Sequence, residues 1–275
     1  NEAVHDRMMQ IFNMYLNVGG MPSAVEKFYE TRNLEDVMAE HFDIVTQYKK
    51  DFTRYETEEK KPYLTQIYDL IPAELNAANK RFNFADIQKG LRYSRSEDHF
   101  LWLAGAGVAL PVFNVSEPTV PLLLNEKSSL FKLFLSDVGM LTTLYGRATK
   151  LQLLSENQDI NNGALYENAV AQELKAHGFK LYYYNSRKFG ELDFVIEYKG
   201  RVLPIEVKSG KSYQRHSALN NIMDISNYAI EEGFVLSNYN VEVKGNLIYY
   251  PIYMLMFIES DDIKMPVVEL DDLSD

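Results

Sequence analysis

The chain has 275 residues, enough for two or three domains, and its 46% hydrophobic and 24% charged content is that of an ordinary globular protein. Without cysteine it forms neither disulfides nor thiolate metal sites, which fits a cytoplasmic setting. A net charge of −11 argues, taken alone, against a nucleic-acid partner.

That charge is unevenly spread. Glu259–Asp275 holds seven acids and one lysine, so this tail carries −6 of the total. It reads as a solvated acidic end, with a DNA-mimicking role that blocks the basic site as the alternative. Asn161–His216 holds nine Lys or Arg against six acids, and Lys80–Arg95 places Lys80, Arg81, Lys89, Arg92 and Arg95 against Asp86 alone. Solvated helix faces produce such islands too. The longest apolar run, 100–113, is broken by Gly105, Gly107 and Pro111 and is too short to span a bilayer, so no membrane partner is expected. The chain begins at Asn1 without a methionine, which leaves the native start open.

The first sixty residues read as helix. Met8–Leu16 and Ser23–Tyr29 carry apolar residues at three- and four-residue spacing, separated by the breaker Gly19-Gly20-Met21-Pro22, and Asn33–Tyr48 continues the pattern. Pro62 marks a boundary. A helix is expected over Tyr63–Asn79 with Pro72 inside, and a shorter one over Phe84–Leu91. A third opens at the capping-box spacing Ser94-Arg95-Ser96-Glu97 and ends at Gly105. Strands follow at Val108–Val115 and Ser129–Leu135. Three helices and a β-hairpin is the order of a winged helix, although Glu97 and Asp98 suit its third helix poorly to reading a DNA groove.

From Leu151 to Ile258 helix and strand alternate. Ala164–His177 is a helix ended by Gly178, Lys180–Asn185 a strand, Ser217–Ile230 a helix, and Phe234–Ser237 and Asn246–Tyr250 the last strands. Between them, Glu191–Tyr198 and Arg201–Lys208 are β-rich runs joined by Lys199-Gly200, a two-residue hairpin loop. That loop predicts opposed residues whose numbers sum to 399, so Asp193 faces Glu206 and Glu191 faces Lys208. Opposed carboxylates destabilise a ribbon unless a cation lies between them, and a divalent metal is the evident candidate. The expected division is a helical segment (1–61), a winged-helix-like unit (62–150), an α/β unit with a helix-flanked mixed sheet (151–258) and the acidic tail (259–275), giving a multi-domain α+β chain.

Glu167 on a helix, Asp193 on a strand and Glu206-Val207-Lys208 on the next resemble the PD-(D/E)xK, or restriction-endonuclease-like, signature. Gly163-Ala164-Leu165-Tyr166-Glu167-Asn168, Gly190-Glu191-Leu192-Asp193-Phe194 and Ile205-Glu206-Val207-Lys208-Ser209-Gly210 resemble a C-terminal domain of unknown function found in many prokaryotic AAA-type ATPases. Tyr15–Pro22, Tyr48–Phe52 and Leu135–Leu141 are similar to other segments of those proteins, so the resemblance covers about residues 10 to 258. Their phosphate-binding loop has no counterpart here: Gly210-Lys211-Ser212 is preceded by Ile205 where the Walker spacing requires glycine. The chain therefore reads as a C-terminal piece, with ATP entering only through an N-terminal ATPase domain that it lacks.

The resemblance implies phosphodiester hydrolysis. Asp193, Glu206 and the Val207 carbonyl would hold Mg²⁺ or Mn²⁺, Lys208 would orient a water or neutralise phosphorane charge, and Glu167 would complete the shell or accept a proton. Nucleic-acid contacts would come from Lys80, Arg81, Lys89, Arg92, Arg95, Arg187, Lys188, Lys211 and Arg215. Tyr182, Tyr183 and Tyr184 read as half core and half surface, and His216 as near the site. The alternative is a catalytically silent module that binds nucleic acid or protein and positions the same ATPase, with oligomeric state left open.

Overall fold

The computed structural model describes residues 1–55, 61–87, 100–155 and 162–260. It opens with α1 (Glu2–Val18), α2 (Pro22–Thr31), α3 (Leu34–Tyr55) and α4 (Lys61–Asn76). The breaker between α1 and α2 works as its residue types dictate. Gly19 takes φ 74 and donates its N–H to Tyr15 O, closing α1, while Pro22 occupies the first position of α2. Asp137 fixes this turn in space: it accepts from Gly20 N at 2.6 Å and caps α6 (Val138–Tyr145) by accepting from Met140 N at 2.9 Å. The contact is so close that a Cβ on Gly139 would lie 2.5 Å from Gly19 N.

The helix expected over Phe84–Leu91 is a single 3₁₀ turn, Phe84–Asp86, capped by the Asn83 side chain, within the described residues. Asn83 and Asp86 bond locally rather than propagate a helix. The capping-box residues Ser94 to Glu97 and the cations Lys89, Arg92 and Arg95 lie outside the described residues. Residues 100–105 are helical as expected and form α5.

β1 (Ala109–Val115) and β2 (Glu126–Leu135) are antiparallel, as a hairpin expected at this place should be. Beyond that expectation, β1 also pairs in parallel with β3 (Tyr182–Ser186), so the would-be wing forms one edge of a larger sheet that runs across residue 150. α7 (Arg147–Leu154) and α8 (Gly163–Ala176) intervene in sequence. Then come β4 (Gly190–Tyr198), β5 (Arg201–Val207), α9 (Ser217–Met223), β6 (Gly233–Ser237), β7 (Glu242–Lys244) and β8 (Leu247–Pro251). The strand order is β2-β1-β3-β4-β5-β6-β8-β7, with parallel and antiparallel pairs mixed. The architecture is thus mixed α+β, with a helical N-terminus and an eight-stranded mixed sheet.

α8 ends as its sequence predicts. Gly178 at φ 85 donates to Lys175 O and Phe179 to Leu174 O, the paired bonds of a Schellman motif. α9 is shorter than the helix expected over Ser217–Ile230; it stops at Met223, where Asp224, Ser226 and Asn227 favour turns over helix. Both sheet faces are covered. Tyr183, Phe194, Ile196, Leu203 and Ile205 join the main core with α8, whereas Tyr182, Tyr184, Leu192, Val195 and Val202 pack under α9. All three tyrosines are therefore buried, not half surface. Among the described residues no helix is long and apolar enough to cross a membrane.

Candidate functional site

The β4–β5 loop adopts the geometry its residues call for: Lys199 and Gly200 have φ 51 and 71, the double positive φ of a type I′ turn. The register follows. Tyr198 pairs with Arg201 and the ladder runs to Phe194 opposite Ile205, every pair summing to 399. Asp193 and Glu206 stand one step beyond the last of these pairs. There the ladder gives way to a side chain, as Val207 N donates to Asp193 Oδ2 at 2.8 Å. Across the other edge of β4, Tyr182 pairs with Val195 but Tyr184 with Leu192, so β4 carries one extra residue at 193–194. Such a bulge bends a strand and re-aims the side chains on it.

Four elements and one loop bring charge to this point. Glu167 lies on α8 among Leu165, Tyr166, Ala169 and Val170, on a stretch that is buried throughout. β4 supplies Glu191 and Asp193, β5 supplies Glu206, and Lys208 follows directly. β2 contributes Lys132, 1% exposed, whose Nζ lies 2.6 Å from Glu191 Oε1, 4.0 Å from Glu167 Oε2 and 4.9 Å from the Tyr183 ring centre. The loop after α4 contributes Lys80, which donates to Glu167 Oε1. Lys208 Nζ donates to Glu206 Oε1 at 2.5 Å. The predicted Glu191–Lys208 pair is not formed. Glu191 instead takes Lys132 and the Asn185 amide, because the bulge offsets β4 at this point and Lys132 offers a buried charge.

Burial and mutual repulsion set the proton affinities. Desolvation, then the charge of Asp193, raises Glu206 to about 8, with Lys208 opposing. Glu167 is raised for the same two reasons against Lys132 and Lys80. Burial works against the charge on Lys132, but Glu167, Asp193 and Glu191 outweigh it and its affinity rises. Glu206 Oε2 and Glu167 Oε2 are buried without a hydrogen-bond partner, a condition uncommon for native carboxylates. Two hard oxygen donors and a neighbouring strand carbonyl, Val207, suit a divalent cation, and the orphaned Glu206 oxygen is an acceptor in want of one. Among the described residues, however, no three His, Asp or Glu side chains converge closely enough to hold a metal ion, so Glu167, Asp193 and Glu206 do not form a three-carboxylate cage.

The cationic island around Lys80 divides. Lys80 turns inward to Glu167, while Arg81 is exposed, near enough for its charge to act on the Tyr183 hydroxyl. Arg187, Lys188, Lys211 and Arg215 are exposed around the β3–β4 turn and the segment after Lys208, with Lys188 Nζ 4.8 Å from the Phe189 ring centre. His216 is buried, 2.6 Å from the Tyr249 hydroxyl and 3.0 Å from Asn220, so it is a packed core residue. Sequence reasoning missed Lys132. The local signal was its position as a lone charge in Leu130-Phe131-Lys132-Leu133-Phe134, since a lysine in such a run is buried only when paired.

The two halves of this cluster fall in two family matches. A model described as a domain of unknown function (DUF4143) matches residues 162–255, which hold Glu167, Glu191, Asp193, Glu206 and Lys208. Another, described as a domain of unknown function (DUF8612), matches residues 9–151, which hold Lys80 and Lys132. No curated protein and no solved structure matches the chain. The second of these models spans more than half of the 275 residues, and the chain belongs to the DUF8612 family.

Proposed function

We propose that the chain carries a metal-dependent phosphodiesterase site, the nuclease-like module of an AAA-type ATPase that acts on nucleic acid. The observation that carries this reading is the β4–β5 register, which leaves Asp193 and Glu206 opposed at the end of the ladder with Lys208 beside them. A divalent cation on Asp193, Glu206 and the Val207 carbonyl would supply polarisation of a phosphate and acidification of a bound water. Lys208, steered by Glu206, is within reach of charge that builds on a phosphate held at those carboxylates. Glu167, its proton affinity raised by burial and Asp193, is suited to take a proton. Exposed Arg187, Lys188 and Arg215 offer a phosphate backbone point charges at the rim. In a parent ATPase, the α1–α2 turn, tied through Gly20 to Asp137, would pass nucleotide state to the rest of the fold.

A second reading rests on a different observation. Glu167, Glu191 and Glu206 each already face a lysine, which is also how a silent assembly module would stabilise buried carboxylates. Cleavage of single- and double-stranded DNA and RNA with Mg²⁺ or Mn²⁺, run beside Asp193→Ala and Lys208→Ala, separates the two. Cleavage abolished by both substitutions is expected; no cleavage of any of the four substrates, or cleavage unchanged in both variants, would favour the silent module.

A further inference from the structure

The carboxylate site is not built from the C-terminal segment alone. Of its three lysines, Lys208 belongs to the β5 strand end, whereas Lys80 and Lys132 are delivered by the segment before residue 151. Three lysines already face the site's carboxylates: Lys80 on Glu167, Lys132 on Glu191 and Lys208 on Glu206. A divalent cation entering between Asp193 and Glu206 would add two positive charges beside these lysines and repel them.

The lysines differ in their freedom to withdraw. Lys132 is sealed, its side chain 1% exposed under the Tyr183 ring. Lys208 is tied to the strand carrying its partner, two residues from Glu206. Lys80 and Lys208 are both partly exposed, 22% and 28%, but Lys80 sits on the irregular stretch between α4 and the Phe84–Asp86 turn, on a different element from its partner Glu167. The backbone of that stretch is pinned, since Phe82 N donates to Phe131 O at 2.9 Å. Lys80's long stem can therefore swing to solvent without moving the loop.

Resting on the metal reading above, we propose that Lys80 is an internal counter-cation of Glu167 and that divalent-cation loading displaces it. Lys80 thus sets how readily the site takes metal, and the DUF8612 segment controls the carboxylates of the segment that follows. Lys80 is a positioning residue in this scheme and has no part in bond cleavage.

The test uses the full chain and Mn²⁺ alone, followed by calorimetry for wild type, Lys80→Met, Lys80→Arg and Asp193→Asn. Lys80→Met is expected to bind Mn²⁺ about tenfold more tightly, the order of effect for removing a competing charge from a partly buried carboxylate. Lys80→Arg should match the wild type, and Asp193→Asn should lose binding. Amine acetylation read by mass spectrometry gives a second readout on unmodified protein: Lys80 should become more reactive when Mn²⁺ is added, and Glu167→Gln should make it reactive without Mn²⁺. Binding that depends on Asp193 but is unchanged or weaker in Lys80→Met, or Lys80 reactivity indifferent to Mn²⁺, overturns displacement while leaving the metal reading intact. Absence of any Asp193-dependent binding removes both.

Discussion

Lys132→Met is the substitution that probes the site's construction most sharply. Met matches the stem of lysine but removes the charge that faces Glu191 at 2.6 Å and Glu167 at 4.0 Å. At an effective dielectric near 20, Coulomb attraction at those separations is about 6 and about 4 kcal/mol. Desolvating a buried ammonium offsets several kcal/mol of that gain, leaving a net effect of about 3–5 kcal/mol when one partner is deleted and the carboxylates remain. Spread over the unfolding entropy of a chain this size, that loss lowers Tm by roughly 5–9 °C. Urea and thermal melts measure it directly. Adding Glu167→Gln should recover part of the loss, because the orphaned carboxylate is then neutral, whereas a double variant that loses the sum of the two single losses would mean that the two groups do not interact. A Lys132→Met protein within about 1 kcal/mol of wild type would refute the claim that this lysine holds the carboxylate cluster together.

Three further outcomes follow from the same structure. Glu206 is raised in the fold to about 8 from 4.5, so its contribution to stability is full below pH 4.5 and is lost as pH rises through 8; Glu206→Gln should abolish that alkaline loss in melts run from pH 5 to 9. His41 behaves oppositely: burial and Lys150 depress it to about 4 from 6.5, it is held between Thr143 Oγ1 at 2.7 Å and Val18 O at 3.1 Å, and stability should fall by up to about 3 kcal/mol as pH drops from 6.5 to 4. Substituting His41 by Gln should flatten that acid limb, and an unchanged limb would assign it elsewhere. Gly139→Ala pushes a Cβ to 2.5 Å from Gly19 N and 2.6 Å from Val18 O, which α6 can relieve only by moving off α1; a loss of about 2–3 kcal/mol is expected in denaturant melts, and a neutral effect would contradict the close approach.

What could be read from the sequence was what local chemistry decides. Lys199-Gly200 sets its hairpin because Gly200 takes positive φ freely and a two-residue loop fixes the register, and that places Asp193 against Glu206. Gly178 likewise ends α8 through a motif confined to six residues. The rest depended on contacts between distant segments. Nothing near Ala109–Val115 announces that it pairs in parallel with Tyr182–Ser186, yet that pairing carries β2, and Lys132 on it, to the carboxylates. The bulge at 193–194 arises from matching β4 to β3, so the expected Glu191–Lys208 pair was lost to a constraint outside the hairpin. Lys80 and Arg81 looked alike as members of a basic island, and only the placement of α8 turns Lys80 inward.

The proposed site would have Asp193 and Glu206 together hold one divalent cation. Titrating Mn²⁺ into the full chain and following the free-ion paramagnetic resonance signal tests it without reference to substrate. One bound ion per chain is expected, lost in both Asp193→Asn and Glu206→Gln while each variant still melts cooperatively. Binding that survives both substitutions, or no binding by the wild type, would contradict it.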